Sequence, residues 1–584
     1  MRAMQTDSHK DPRPEVGALF QQATALHQAG QHQDSLRVCR QILSEDPSHA
    51  HAHNLSGAAA MSLGDLPGAE NAFRRALAVQ PDLFQARANL GRVLAQRGDL
   101  PGAEGCYRQA LKLSPDALPV INALGLVLKA AGQTEKAMAC FRRGLEINTA
   151  DSSALNNLGV ALMDSGEWAQ ATTCFRKALR HQPRHVNAMC NLATALIREE
   201  KPEEAMEWCE KALGLTPDHP VALNVKGGIL HEDAQLEEAA ECYRAAIRAA
   251  PDQVAAHNNL GNALKELGRN EEAVASFMKA LSIKPDFPDA HCNLAALYQA
   301  LGDFDAAIRC YTSLLDAHPE NVAAWNGLQS CLLYLRRPDE ALEACRACIK
   351  QFPRNQFSIA HEAFAAMQQE NEARFDELYP LDRFPHPVEI RAPDAFADIQ
   401  SLNETLARDV LSHPSLKDHH DEIKATTTRR FAYGILDTPT PAITAFADLV
   451  RAEVQRFIEA LPAKAGHPFF SRPPANWDLK MWATVLNSGG IHGAHNHEHA
   501  WLSGVYYVQG SGFIHDADNP KAGWIEFDGF SHLSDSDTFR NKAKIIEPRD
   551  GLMLFFPAYF LHGTVPFQCQ ETRISIAFDV QPTT

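Results

Sequence analysis

The sequence predicts a multidomain chain: an all-α repeat superhelix, then an α+β domain with a compact all-β core. Three observations carry this. At 584 residues the chain is too long for one hydrophobic core. A 34-residue period runs through its first two thirds. From Trp477 onward the pattern changes to short runs rich in Val, Ile, Phe, Tyr and Trp, separated by Gly and Pro.

The period is read from aligned segments. Gln85–Gly91, Ser153–Gly159 and Ala255–Gly261 each close on Asn-Leu-Gly. The second half of the unit recurs as Ala103–Leu111 and Ala273–Leu281. Pro81, Pro115, Pro183, Pro217, Pro251, Pro285, Pro319 and Pro353 close the units, because proline cannot continue a helix. Gly57, Gly91, Gly125, Gly159, Gly227 and Gly261 fall inside the first helix of their units. A glycine there costs about 1 kcal/mol relative to alanine, so its recurrence predicts close helix contact. Each hairpin has an apolar face that only a neighbour can cover. About ten repeats fit between Pro14 and Gln356, the first degenerate.

Residues 1–13 are polar and predicted to be disordered; 14–382 form the array with its capping helix; 383–584 form the second domain. Three prolines between Leu378 and Val388 mark the linker. Helices are predicted at Asp398–Leu411 and Ala442–Leu461, within a helical brace spanning 394–461. Strands are predicted at Leu479–Leu486, Trp501–Val508, Trp524–Phe527, Leu552–Phe556 and Arg573–Val580, within a core spanning 477–582.

Composition narrows the function. A net charge of −17 argues against an electrostatic grip on nucleic acid or on an anionic membrane. The N-terminal residues have no apolar signal-peptide core, and no run is long enough to cross a membrane, so a cytoplasmic protein is expected. Cys106, Cys140, Cys174, Cys242 and Cys310 share one repeat position and read as reduced structural thiols.

The chemistry concentrates between Gly489 and Ser575. His495 and His497 stand two apart, so on a strand both imidazoles face one side. His562 follows the run Leu552–Phe556, and Arg573 and Ser575 share a face of the next predicted strand. Two close ligands, one distant ligand and an anion-binding arginine suit a mononuclear iron site with open coordination positions. Alternatives stand beside this. One of the histidines could only pack or hydrogen-bond, His499 could replace His497, and Arg573 could pair with Glu571 or Asp579. Trp482, Trp501 and Phe556 are candidate pocket walls or ordinary core.

Roughly the last 110 residues resemble the double-stranded β-helix (jelly-roll) core of the 2-oxoglutarate- and Fe(II)-dependent oxygenases. They are most similar to a bacterial branch with His-x-His followed by Leu-Ser-Gly-Val-Tyr-Tyr. The resemblance implies Fe(II) held by His495, His497 and His562. It also implies 2-oxoglutarate held at its far carboxylate by Arg573 and Ser575, with support from Tyr507. The implied activity is hydroxylation. His497 departs from the pattern, since a carboxylate is usual there, and three histidines also resemble the sites of thiol dioxygenases that use no 2-oxoglutarate. The array resembles the tetratricopeptide repeat, a helix–turn–helix unit. Its recurring Asn89, Asn157, Asn191, Asn259 and Asn293 match an asparagine ladder that holds peptide backbone in O-linked glycosyltransferases. The alternative is bonding between adjacent helices.

The expected function is a dioxygenase acting on a protein or peptide recruited by the repeat groove. The alternatives are a repeat scaffold with a degenerate oxygenase-like domain, or a small-molecule oxygenase whose repeats recruit partners.

Overall fold

The computed structural model describes residues 13–420, 428–461, 467, 469–470, 473–486, 495–497, 499–510, 519–528, 539, 542–565 and 572–583. The chain divides into two compact units, Met1–Ser276 and Phe277–Thr584, the boundary falling within the helix Asn270–Ile283. Apart from Arg13, the stretch expected to be disordered lies outside the described residues.

After a first helix of 16 residues, Arg13–Gln28, the hairpins of the first unit alternate helices of 13 and 14 residues from Ala50 on, as in Ala50–Ser62, Leu66–Val79, Phe84–Gln96 and Leu100–Leu113. The sequence sets the starts: Asp65 and Asp99 accept hydrogen bonds from the amides of Gly68 and Gly102 at 2.9 and 3.0 Å, capping the second helices of their hairpins. It also sets the stops, with Pro81 and Pro115 one residue beyond the C-caps Gln80 and Ser114. The recurring helix glycines are where an aromatic ring of the hairpin partner lies against the backbone. A Cβ on Gly57 would stand 2.6 Å from the ring of Phe73, and one on Gly159 would stand 2.5 Å from Phe175. The first helices of successive hairpins pack on one another along the unit. The array glycines with positive φ, such as Gly64, Gly98 and Gly132, form the tight turns of their own hairpins.

The second unit contains the remaining hairpins, through Gln356–Gln368 and Glu372–Leu378, and the ten strands found among the described residues. These are β1 His386–Val388, β2 Leu416–His420, β3 Thr428–Tyr433, β4 Trp477–Leu486 and β5 Leu502–Gln509. They continue with β6 Ile525–Asp528, β7 Ala543–Ile546, β8 Met553–Pro557, β9 His562–Thr564 and β10 Arg573–Pro582. A seven-stranded antiparallel sheet runs β1-β8-β5-β10-β4-β3-β2, and a three-stranded one runs β7-β6-β9. This is the strand-rich antiparallel domain that the sequence predicts.

Five predicted strands match β4, β5, β6, β8 and β10 within two residues at either end. The unpredicted strands have physical reasons. Pro387 sits on the edge strand β1, where proline is tolerated, inside what reads as a linker. Edge strand β2 is Leu-Lys-Asp-His-His, and its neighbour β3 is Thr-Arg-Arg-Phe-Ala-Tyr; neither alternates cleanly. The predicted helices are found at Ile399–Leu411, with Asp398 closing a capping box, and Pro441–Ala460. They brace the large sheet from outside. Phe446 packs on Tyr506 with ring centres 4.7 Å apart, and the Tyr506 hydroxyl donates to Asn403 Oδ1 at 2.6 Å. Strand alternation then turns the next residue, Tyr507, to the inner face.

Candidate functional site

β10 is central in the large sheet, between β4 and β5, and its alternate residues Arg573, Ser575, Ala577 and Asp579 face inward. Register places Leu486, Thr484 and Trp482 of β4 opposite Arg573, Ser575 and Ala577. On the other side, Tyr507, Val505 and Ser503 of β5 oppose Ser575, Ala577 and Asp579. Apart from Ser503 and Asp579, these residues line the resulting cavity together with His495, His497, Phe556 and His562.

The three predicted imidazoles converge. Their ligand nitrogens all lie within 4.8 Å of one another, and the ring centres of His495 and His562 are 4.5 Å apart. The means differs in one respect from the strand expected at 495–497. His495 forms an isolated antiparallel bridge with His562, exchanging two backbone hydrogen bonds of 3.0 Å. His497 is fixed by its own amide, which donates to the Ala558 carbonyl at 2.9 Å.

The rings are oriented from behind. His562 Nδ1 lies 3.0 Å from the Phe560 carbonyl, which places the proton on Nδ1 and leaves Nε2 as the basic nitrogen. His497 Nδ1 lies 2.8 and 3.0 Å from the two carboxylate oxygens of Asp579. Its Nε2 is buried with no hydrogen-bond partner among the described residues. An orphaned basic nitrogen beside two other imidazoles fits a metal ligand. Trp482 stacks on His497 with ring centres 5.5 Å apart.

The segment leading into His562 is held by the end of the repeats. Tyr379, just past the helix Glu372–Leu378, stacks flat on Phe560 at 3.9 Å, and its hydroxyl accepts the Leu561 amide at 2.6 Å. The Tyr559 hydroxyl donates to the Leu378 carbonyl at 2.7 Å.

At the far end of the cavity, Arg573 is 3% exposed. It donates to the Gly523 carbonyl at 2.6 Å and lies 5.1 Å from the centre of the Tyr507 ring. Burial raises the Tyr507 pKa, which keeps its hydroxyl protonated as a donor, while Arg573 works against that rise. Asp579 is not the partner of Arg573; it is taken by His497 and by the Ser503 hydroxyl, 2.6 Å away. Glu571 lies outside the described residues, as do His492, His515 and His532.

His499 does not join the cluster. It is exposed and lines a different cavity with Asn326, Phe352, Pro353 and Arg354 from the last repeats. Trp501 is core: it stacks on Phe469 at 4.5 Å, whereas Trp482 and Phe556 do line the pocket. Sequence reasoning missed Thr484, which is 3% exposed on the pocket floor. It also missed the part played by Asp579, although the alternation Arg573-x-Ser575-x-Ala577-x-Asp579 puts both on one face.

The asparagines at the recurring position are each half-buried. Asn89, Asn191 and Asn259 donate to Asn54, Asn156 and Asn224 of the preceding hairpin at 3.3, 3.0 and 3.2 Å. Asn157 lies 3.5 Å from Asn156 through its Oδ1, and Asn293 belongs to the second unit. The inter-helix bonding is therefore present at Asn89, Asn191 and Asn259.

Cysteine thiols in the array are free, and burial raises their pKa values, that of Cys209 to about 12. Among the described residues no helix is long and apolar enough to cross a membrane.

Comparison with known proteins supplies two family matches. Residues 480–579 match the family described as "Putative 2OG-Fe(II) oxygenase". Tetratricopeptide repeat models match residues 20–72, 55–117, 118–151, 156–220, 227–268, 261–302 and 292–366. No curated protein matches the chain. Among solved structures, YrrB, a tetratricopeptide protein with an unusual peptide-binding site, is 24% identical over 32% of this chain and 97% of its own, with a TM-score of 0.29. A Pseudomonas aeruginosa pilF structure is 23% identical over 39% of this chain and 98% of its own, at 0.32. A tetratricopeptide repeat protein from Parabacteroides merdae is 15% identical over 43% and 98%, at 0.37.

Proposed function

Starting from a tetratricopeptide repeat protein whose C-terminal domain matches the 2OG-Fe(II) oxygenase family, we propose that the chain is a 2-oxoglutarate- and Fe(II)-dependent hydroxylase acting on a protein or peptide recruited by its repeats. The observation that carries this is the convergence of His495, His497 and His562 in one cavity with a buried arginine at its other end. In this reading the three imidazoles hold Fe(II). Arg573 grips the far carboxylate of 2-oxoglutarate through a charge-assisted fork, and Ser575 and Tyr507 donate to the same group. Bound iron and 2-oxoglutarate supply oxygen activation and the oxidising power for hydroxylation. The chain supplies orientation and a water-poor pocket, walled by Trp482, Val505 and Phe556.

The convergence favours this over the reading in which the domain is a degenerate scaffold. Asn89, Asn157, Asn191, Asn259 and Asn293 are proposed to offer their remaining amide valences to the backbone of the recruited peptide. The domain division at residues 14–382 and 383–584 belongs to the same proposal.

The test is direct. The full-length chain is incubated with Fe(II), 2-oxoglutarate, oxygen and a proteome, and captured proteins are searched by mass spectrometry for the gain of one oxygen atom. Gain that requires both 2-oxoglutarate and Arg573 supports the reading. Capture without oxygen gain supports the scaffold alternative.

A further inference from the structure

We infer that Asp579 supplies, from behind His497, the negative charge that an iron-binding carboxylate would otherwise bring to this centre, making it the residue that positions and strengthens His497 as a metal ligand. The inference rests on the oxygenase reading above.

The geometry is specific. Both Asp579 oxygens lie within 3.0 Å of His497 Nδ1, and one of them accepts the Ser503 hydroxyl at 2.6 Å. Ser503 is fully buried and Asp579 is 7% exposed. The ring cannot turn away freely, because Trp482 stacks on it and its backbone amide is tied to Ala558. In the neutral ring, with Nδ1 donating to Asp579, the lone pair is on the other nitrogen, Nε2, which is the buried atom without a partner among the described residues.

Electrostatics gives the arrangement a purpose. A buried carboxylate is costly unless compensated. Its nearest polar neighbours are a hydroxyl and an imidazole, which do not cancel its charge while the ring is neutral. Its register neighbour on β4, Lys480, is exposed. A cation on His497 Nε2 completes the balance across the ring. Conversely, three neutral imidazoles alone would leave a divalent ion uncompensated, whereas a carboxylate hydrogen-bonded to a ligating histidine raises its basicity and fixes its tautomer. The charge has moved one group outward: His497 occupies the usual carboxylate position, and a carboxylate stands directly behind it.

β10 therefore serves both ends of the pocket from one face. Arg573 serves the anionic cosubstrate, and Asp579, six residues on, serves the metal.

The test titrates the metal-free, full-length chain with Co(II) under anaerobic conditions. Ligand-field absorption and binding heat are followed for wild type and Asp579→Asn. Asparagine keeps the size and an oxygen for His497 Nδ1 and the Ser503 hydroxyl but removes the charge. A variant that keeps its circular dichroism yet binds Co(II) about 10- to 100-fold more weakly, with displaced ligand-field bands, is the expected result. Wild-type affinity and bands in the variant overturn the inference and leave the oxygenase reading standing. Failure of the wild type to bind Co(II) at all overturns both. Should Asp579→Asn not fold, Ser503→Ala, which releases the carboxylate from its hydroxyl anchor, is read the same way: weakened binding supports the inference and unchanged binding overturns it.

Discussion

The guanidinium of Arg573 lies 5.1 Å from the centre of the Tyr507 ring, with both side chains buried on the inner face of the large sheet. Arg573→Ala should therefore remove 2-oxoglutarate binding and spare the metal. Leaving a buried anion unpaired costs about 2–5 kcal/mol. Calorimetry with 2-oxoglutarate on the metal-loaded chain checks this, and a wild-type affinity in the variant would reject the assignment of Arg573.

His497 and His499 are distinguished by where they point. His497→Ala should weaken Fe(II) binding at least tenfold, whereas His499→Ala should leave it unchanged, because His499 lines the cavity beside Asn326 and Arg354. Equilibrium dialysis with Fe(II) reads both, and equal losses would return His499 to the ligand set.

Four hairpin turns place a residue other than glycine at positive φ: Glu200, Ala234, Arg336 and Glu370. Ala234 has φ 58°, a conformation taken by glycine at the corresponding turn of several other hairpins. Left-handed backbone costs a residue with a Cβ roughly 1–2 kcal/mol. Ala234→Gly should therefore raise stability by about 1 kcal/mol net of glycine's extra unfolded-state entropy, seen as a higher urea midpoint. A lower midpoint would contradict this.

One half-buried histidine outside the site makes stability depend on pH. Burial lowers the pKa of His361 to about 4, beneath hydrogen-bonding neighbours Gln329 and Ser330. The unfolded chain then binds the extra proton between about pH 6.5 and pH 4. Stability is full above the unfolded value and is lost as pH falls through that window, by about 2–3 kcal/mol at its end. His361→Gln should flatten this part of the melting-temperature profile, and an identical slope in the variant would rule His361 out as its source.

Much of this was legible in the sequence because it follows from local rules. The 34-residue period, the capping aspartates and the closing prolines need only helix chemistry. The glycine positions foretold close helix contact, though not that the rings of Phe73 and Phe175 would make it. Strands β4, β5, β8 and β10 were legible because they are central and apolar. Less legible were β1, whose proline reads as linker, and the short β9, which begins at His562 itself. The convergence of His495, His497 and His562 was legible from spacing, but its backing was not. The contact from Asp579 to His497 spans 82 residues of chain and depends on which strand β10 adjoins, which no local pattern reveals.

The central claim is that this chain holds iron and 2-oxoglutarate together in one pocket. The most direct measurement is visible absorption of the purified chain under anaerobic conditions with Fe(II) and 2-oxoglutarate. A metal-to-ligand charge-transfer band should appear only when both are present, persist in His499→Ala, and disappear in His562→Ala and in Arg573→Ala. A folded wild-type chain that gives no such band with saturating Fe(II) and 2-oxoglutarate would contradict the claim.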